Sequence, residues 1–219
     1  MLIDPKAIDF FTNEMILVQI NGDVDTTTKK QYGVEGYPTF ILVDKDGKEV
    51  DREAGYLETD NYIQKFRDYS KGIGTLEALL KEADTNKTRQ LCFNIAYKYQ
   101  WRGNQPDARA WYSSVITMGT AKDSLAGEAR MALADMSMRK KDYALAINAF
   151  TEIAADFVGT PFAENADIYI PITYRRMGDT TKAITAFEDF IKKYPKSEEV
   201  EYAQKQIVKL KGEPPAEKK

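Results

Sequence analysis

The chain has 219 residues, of which 43% are hydrophobic and 30% charged, a balance ordinary for a globular protein. Lysine and arginine number 31 against 34 aspartates and glutamates, so the formal net charge is −3. Nucleic acid and anionic membrane surfaces both attract basic proteins, so neither is expected as the main partner. No apolar run is long enough to span a bilayer as a helix, and we expect no membrane insertion. Residues 1–5 also lack the basic start and apolar stretch of a secretory signal.

The residue types that the sequence lacks exclude several kinds of catalytic and metal-binding site. The sequence contains no histidine and one cysteine, Cys92. Without histidine there is no Ser-His-Asp or Cys-His arrangement, and one cysteine cannot form an internal disulfide or a thiolate zinc cluster. The sequence also shows no convincing group of carboxylates that would form a catalytic or metal-binding site. We therefore expect no metal, no cofactor and no catalysis by these residues themselves, and a buried structural role for Cys92.

The N-terminal part alternates strand and helix signals. Residues 15–20, MILVQI, form a short aliphatic run that predicts a buried strand, ended by a polar turn at residues 21–23. Residues 26–32 suit a short helix that stops at Gly33. Residues 40–43, FILV, predict a second buried strand.

A hairpin and a helix complete this part. The turn is predicted at Asp44-Lys45-Asp46-Gly47, a hairpin signal rather than a calcium loop, with the returning strand at residues 48–54. Apolar residues at helical spacing predict a helix over residues 59–69. Strand signals vanish from about residue 75, which places a domain boundary near residues 71–75. The predicted divisions are 1–72, 73–212 and a polar, disordered tail at 213–219.

The second part repeats itself. The turn residues Gly103, Lys141 and Gly178 recur at intervals of 38 and 37 residues (141 − 103 and 178 − 141). A small residue follows each turn by five positions and an aromatic by nine: Ala108, Ala146 and Ala183, then Tyr112, Phe150 and Phe187. Small residues let paired helices approach closely, and the aromatic fills the space between successive pairs.

This pattern resembles tetratricopeptide (TPR) repeats, whose period is about 34 residues. The resemblance covers roughly residues 86–210 and implies about three helical hairpins followed by a polar capping helix over residues 198–210. Ser137 departs from the aromatic slot that Tyr99 and Tyr174 fill, and Pro171 should kink the helix that contains it.

Repeat geometry turns one face of each first helix toward a concave groove. When the groove-facing positions of the TPR repeat are transferred to this sequence, they give the partner-binding face. Its residues are Phe93, Tyr97, Trp101, Met131, Asp135, Met138, Arg139, Ile168, Ile172, Arg175 and Arg176. Aromatic and methionine side chains flanked by arginine suit the docking of a protein or peptide. The alternative is that much of this stripe belongs to the core or is covered by the N-terminal domain.

Residues 32–40, YGVEGYPTF, resemble the segment of thioredoxin-like proteins that carries the cis-proline loop. The order of the surrounding elements from about residue 4 to 72 agrees with the second half of that fold. The resemblance implies that Tyr37, Pro38 and Thr39 form a loop facing an extended substrate peptide. It also implies that the first strand, the Cys-x-x-Cys motif and the first long helix of the family would lie before residue 1. We expect a fragment of a longer protein, with a gene that lost its redox half as the alternative.

Together these features predict a mainly α protein with an N-terminal α/β part: a partial thioredoxin-like fold followed by an α-solenoid of TPR hairpins. The expected function is a protein-binding module that recruits a protein partner through its TPR groove. The alternative is a fragment of a thiol-disulfide oxidoreductase whose Cys-x-x-Cys lies upstream, and a third is a structural assembly subunit that associates through an exposed sheet edge. The sequence leaves two alternatives for the cellular compartment. We expect the periplasm if the protein is an exported thioredoxin-like protein, and otherwise the cytoplasm.

Overall fold

The computed structural model describes residues 4–120 and 122–212. Within these ranges the chain forms eleven helices and two strands, with both strands near the N-terminus, so the predicted mainly α fold with an N-terminal α/β part is confirmed. The chain divides into two compact units, one up to Trp111 and one from Tyr112 onward. No helix in the described ranges is both long and apolar enough to cross a bilayer.

The first unit contains the α/β part and two further helices. In chain order its elements are α1 (Pro5–Asn13), α2 (Thr26–Gln31), β1 (Thr39–Val43), β2 (Glu49–Ala54), α3 (Thr59–Ser70), α4 (Leu76–Ala83) and α5 (Arg89–Gln100). Helix α6 (Gln105–Thr117) crosses the division between the units. The first unit also takes in α4 and α5, and the domain boundary near residues 71–75 stays a prediction.

Strands β1 and β2 form an antiparallel hairpin, with Thr39 opposite Ala54 and an irregularity in register after Leu42. Its turn is built as predicted, because the Asp44 carboxylate accepts hydrogen bonds from the backbone N–H groups of Asp46 and Lys48, both at 2.9 Å. One face of β1 packs on α3 through a small aromatic core. The core residues are Phe10, Tyr62, Ile63 and Phe66, with Phe40 and Leu42 packed against them.

The strand predicted at residues 15–20 is wrong. This segment has no regular secondary structure, and its side chains are exposed, Ile16 by 94% and Val18 by 70%. β-Branched residues favour extended backbone, but a strand also needs a neighbour to pair with its N–H and C=O groups. In the described ranges the sheet consists of β1 and β2, and residues 15–20 pair with neither.

The second unit is a series of antiparallel helices. They are α7 (Ser124–Arg139), α8 (Tyr143–Asp156), α9 (Pro161–Met177), α10 (Thr180–Lys193) and α11 (Val200–Lys211), and each packs on the next. The repeated small and aromatic residues are fully buried here, with Ala146, Phe150, Ala183 and Phe187 all 0% exposed. Helix α9 continues through the buried Pro171, so the proline does not end it. The tail predicted at residues 213–219 lies outside the described ranges.

The three repeat anchors share one turn. Gly103, Lys141 and Gly178 all have left-handed backbone, with φ of 71°, 70° and 87°. In each case the next N–H reaches back to the carbonyl five residues earlier: Asn104 to Tyr99, Asp142 to Ser137 and Asp179 to Tyr174, at 3.0, 2.9 and 3.0 Å. This is the hydrogen-bond pattern of a Schellman helix end. The sequence period therefore corresponds to a repeated backbone geometry.

Candidate functional site

The loop Tyr37–Thr39 leads directly into β1. The Tyr37–Pro38 peptide bond is cis. The Pro38 carbonyl accepts a hydrogen bond from the N–H of Gly55 at 2.9 Å, and the Thr39 hydroxyl donates to the Gly36 carbonyl at 2.7 Å. These bonds hold the loop against the end of the hairpin.

Tyr37 is the accessible residue of this loop. Its side chain is 56% exposed, and its hydroxyl donates to Asp23 at 3.2 Å. The Lys29 ammonium lies 4.9 Å from the centre of the Tyr37 ring, and the pKa of Lys29 is raised by its contact with the Tyr37 hydroxyl and by Asp23. Within the described ranges, neither the N–H nor the carbonyl of Tyr37 takes part in a backbone hydrogen bond. The predicted peptide-facing loop thus presents an aromatic side chain and an unused backbone pair.

A buried ionic network, which was not predicted from the sequence, joins β2 to α4 and α5. Asp51 is 0% exposed. Its carboxylate accepts hydrogen bonds from Lys98 and Arg102 at 2.9 Å each and from the N–H of Leu76 at 2.6 Å. Burial by itself raises the pKa of Asp51, but Lys98 and Arg102 outweigh it, so the pKa is lowered overall. Burial in turn lowers the pKa of Lys98.

The same network continues on both sides of Asp51. The Arg52 guanidinium donates to the carbonyls of Trp101 at 2.8 Å and Tyr32 at 2.6 Å. Glu53 accepts from Lys65 at 2.9 Å and from the Tyr69 hydroxyl. The signal in the sequence was the alternation of carboxylates in β2, at positions 49, 51 and 53, together with two basic residues four apart, Lys98 in α5 and Arg102 just after it. Because every polar group is used in holding elements together, this cluster is structural.

The predicted groove residues of the first unit lie close to the hairpin. The Tyr97 hydroxyl contacts the Ala54 carbonyl at 3.4 Å, and its ring meets Trp101 edge-on at 6.0 Å. Trp101 packs on Gly36, where an added Cβ would lie 3.3 Å from its ring. Phe93 is half-buried. Tyr97 is 37% exposed and Trp101 is half-buried, so both contact the N-terminal part and keep some accessible surface.

The predicted groove residues of the second unit divide into core and surface. Met138 and Ile168 are 1% and 4% exposed and belong to the hydrophobic core, so their assignment to the groove is corrected. The spacing along a first helix does not separate its groove side from the side that packs on the next helix. The remaining six are exposed or half-buried, and we call them the α7–α9 surface: Met131, Asp135, Arg139, Ile172, Arg175 and Arg176.

Tyr169, which was not among the predicted groove residues, lies beside this surface on α9. Its ring stacks on Phe150 with centroids 5.2 Å apart, and it packs against the core under α9. Burial raises the pKa of Tyr169, with Asp135 acting in the same direction and Arg139 and Arg176 acting against it. The half-buried Tyr169, three residues before Ile172 on α9, thus borders the α7–α9 surface. Tyr169 lies seven residues before Arg176 on α9, a helical spacing from which its place on the same face could have been predicted.

The fold and these surfaces define a thioredoxin-like part followed by TPR-like helical hairpins. A family model described as a thioredoxin-like domain matches residues 2–70, and one described as an outer membrane lipoprotein (YfiO) matches residues 130–205. A thioredoxin of Chlamydia caviae is 34% identical over 65 residues, which are 30% of this chain and 63% of that relative. The chain thus covers less than two thirds of the length of that thioredoxin.

A solved structure supports the helical part. It is a crystal structure of nearly identical TPR-like repeats from Podosopora anserina, described as a kinesin light chain. The matched region spans 69% of this chain and 82% of the chain in that structure, with a TM-score of 0.52. The sequence identity is 13%, and at that identity the likeness shows the fold alone. Among the described residues, no group of three or more metal-ligating side chains comes together.

Proposed function

We propose that this chain is a protein-binding module, in which a TPR-like scaffold joined to a thioredoxin-like domain recruits a protein partner. The observation that carries the proposal is the α7–α9 surface. It combines half-buried apolar side chains, Met131 and Ile172, with arginines on the first helices of two successive hairpins. Surfaces that mix accessible apolar groups with arginine are suited to docking a polypeptide.

The loop Tyr37–Thr39 is a second proposed contact for a polypeptide chain. An extended peptide needs a backbone N–H and carbonyl to pair with, and the unused pair of Tyr37 supplies both. The exposed Tyr37 ring would pack beside such a peptide. Replacing Tyr37 by alanine would remove that ring and leave the hairpin in place.

Site-directed photo-crosslinking tests the proposal without knowing the partner. A photoreactive phenylalanine analogue is placed at the exposed position 139 on α7 and, as a matched control, at the exposed position 185 on α10. In cells that make the protein, we expect a discrete protein adduct from position 139 and none from position 185. Equal labelling from both positions, or none from 139, would argue against a partner at the α7–α9 surface.

A thiol-disulfide oxidoreductase is the second candidate, favoured by the match to a thioredoxin. The single cysteine of this chain, Cys92, is buried, and burial raises the pKa of its thiol, so it is poorly suited to be a nucleophile. Any dithiol would have to come from outside these residues. Insulin reduction by the product of the whole reading frame, compared with this chain alone, tests that function. Activity of the longer product alone would favour the oxidoreductase.

A further inference from the structure

Two of the four arginines in the second unit, Arg130 and Arg139, are neutralised by neighbouring carboxylates. Arg130 pairs with Asp156 at 2.8 Å, and Arg139 pairs with Asp135 at 2.6 Å one turn earlier on α7. The two arginines at the end of α9 differ. Arg175 donates to Gln206, a neutral amide on α11, so its charge is retained.

Arg176 carries the clearest uncompensated charge. It is exposed, and within the described ranges it makes neither an ion pair nor a hydrogen bond. Basic residues also end α10 and α11, where they complement the helix dipole. What distinguishes the end of α9 is the adjacent apolar and phenolic surface, formed by Ile172 and Tyr169, which can bury part of a ligand.

The arrangement is continuous from α7 to α11. Helices α7 and α9 are in direct contact, and the bond from Arg175 to Gln206 links α9 to α11. Tyr169, Ile172 and Arg176 follow one another along α9 at intervals of three and four residues, so they lie on one face of the helix. Arg175 adjoins Arg176 at the same end of α9.

We propose that the α7–α9 surface selects an acidic polypeptide segment, whose carboxylates pair with Arg175 and Arg176 while its apolar side chains pack on Ile172 and Tyr169. This rests on the proposed function and names the chemistry of the partner. A guanidinium binds a carboxylate through two parallel hydrogen bonds, which gives both strength and orientation. The net charge of −3 disfavours a long polyanion such as nucleic acid.

Binding of designed peptides to the full chain tests this selectivity. Three fluorescein-labelled peptides of equal length alternate leucine with glutamate, glutamine or lysine, and fluorescence anisotropy gives their Kd values. We expect the glutamate peptide to bind at least about tenfold more tightly than the glutamine peptide, with an affinity that falls as salt increases.

Charge reversal assigns the effect to the two arginines. The variant R175E/R176E should lose at least about tenfold in affinity for the glutamate peptide and gain affinity for the lysine peptide. The matched control K182E/K192E makes the same change in net charge at two exposed lysines on α10 and should bind as the unaltered chain does. The single variant Arg176→Gln, at an exposed side chain, should give an intermediate loss without affecting the fold, as circular dichroism would verify.

Three results would overturn the inference. They are equal affinity for all three peptides, unchanged binding by R175E/R176E, and failure of every peptide to bind the unaltered chain. A partner adduct at position 139 in the crosslinking experiment would leave the proposed function standing in each case. Absence of that adduct would count against the proposed function separately.

Discussion

At the residue scale, Lys141 is in a conformation that disfavours a side chain. Among the described residues it is the one non-glycine with positive φ, at 70°, where the equivalent anchors are Gly103 and Gly178. A Cβ in left-handed backbone costs about 1–2 kcal/mol. We therefore expect Lys141→Gly to raise the free energy of unfolding by about 1 kcal/mol, because glycine removes that cost.

Urea denaturation followed by circular dichroism measures the change at Lys141. The neighbouring Lys140 has φ of −71° and serves as the control, since glycine gains nothing in right-handed backbone. Lys140→Gly should lower stability by about 0.5–1 kcal/mol. If both variants changed stability in the same direction, the left-handed strain at Lys141 would be refuted.

Asp51 makes a pH-dependent contribution to stability. Its pKa in the folded protein is lowered from the ordinary 3.8. A lowered pKa means that the carboxylate stabilises the fold at pH values above 3.8 and that this contribution is lost as the pH falls below it. Asp51→Asn should lower the free energy of unfolding at pH 7 by about 3–5 kcal/mol, because it removes the buried counter-ion of Lys98 and one of the two carboxylates that pair with Arg102.

Denaturation curves measured from pH 7 down to about pH 2 test this dependence. The variant should lose less stability on acidification than the unaltered chain, since the titrating group is gone. Asp60→Asn is the control, because the Asp60–Lys6 pair is exposed at both side chains. Its curve should follow that of the unaltered chain. Identical acid limbs in the Asp51→Asn variant and the unaltered chain would show that Asp51 does not titrate as proposed.

At the element scale, Gly127 sets the approach of α7 to α9. A Cβ added there would lie 3.0 Å from the Phe162 ring, tighter than ordinary contact. We expect Gly127→Leu to lower the free energy of unfolding by about 1–3 kcal/mol, since the packed helices cannot accept the extra volume without moving. Glu128→Leu places the same side chain at the exposed next position and should have little effect. Equal effects in urea denaturation would mean that the helices do not pack closely at Gly127.

Sequence pattern predicted elements well where their hydrogen bonds are local. The helices over α3 and α7 to α11 follow from apolar spacing and turn residues, because a helix satisfies its own backbone. The segment 15–20 shows the opposite case. Its composition is that of a strand, but its state depends on a pairing partner that lies elsewhere in the chain or in another chain.

At the scale of the whole molecule, the Asp51 network lies entirely within the first compact unit. Its loss should therefore weaken that unit in particular. In hydrogen–deuterium exchange, Asp51→Asn should speed exchange in β2, α4 and α5 and leave α8 and α9 unchanged, because the latter pack around a separate core. Faster exchange in α8 and α9 as well would mean that the two units unfold together.

The sequence by itself determined the class of fold, the three repeat turns and the loop at Tyr37–Thr39. Those features depend on local backbone preferences and on a period that is visible along the chain. The role of the α7–α9 surface in binding stays a prediction, and two of its six residues, Met131 and Ile172, also pack against the core.

Tertiary structure alone decided which of the other residues are buried or paired. Met138 and Ile168 have the spacing of groove residues, but a neighbouring helix covers them. Asp51 and Lys98 are 47 positions apart and meet only after folding. Such outcomes depend on which groups the fold brings together and removes from water. That is a property of contacts between distant segments, which a local pattern does not contain.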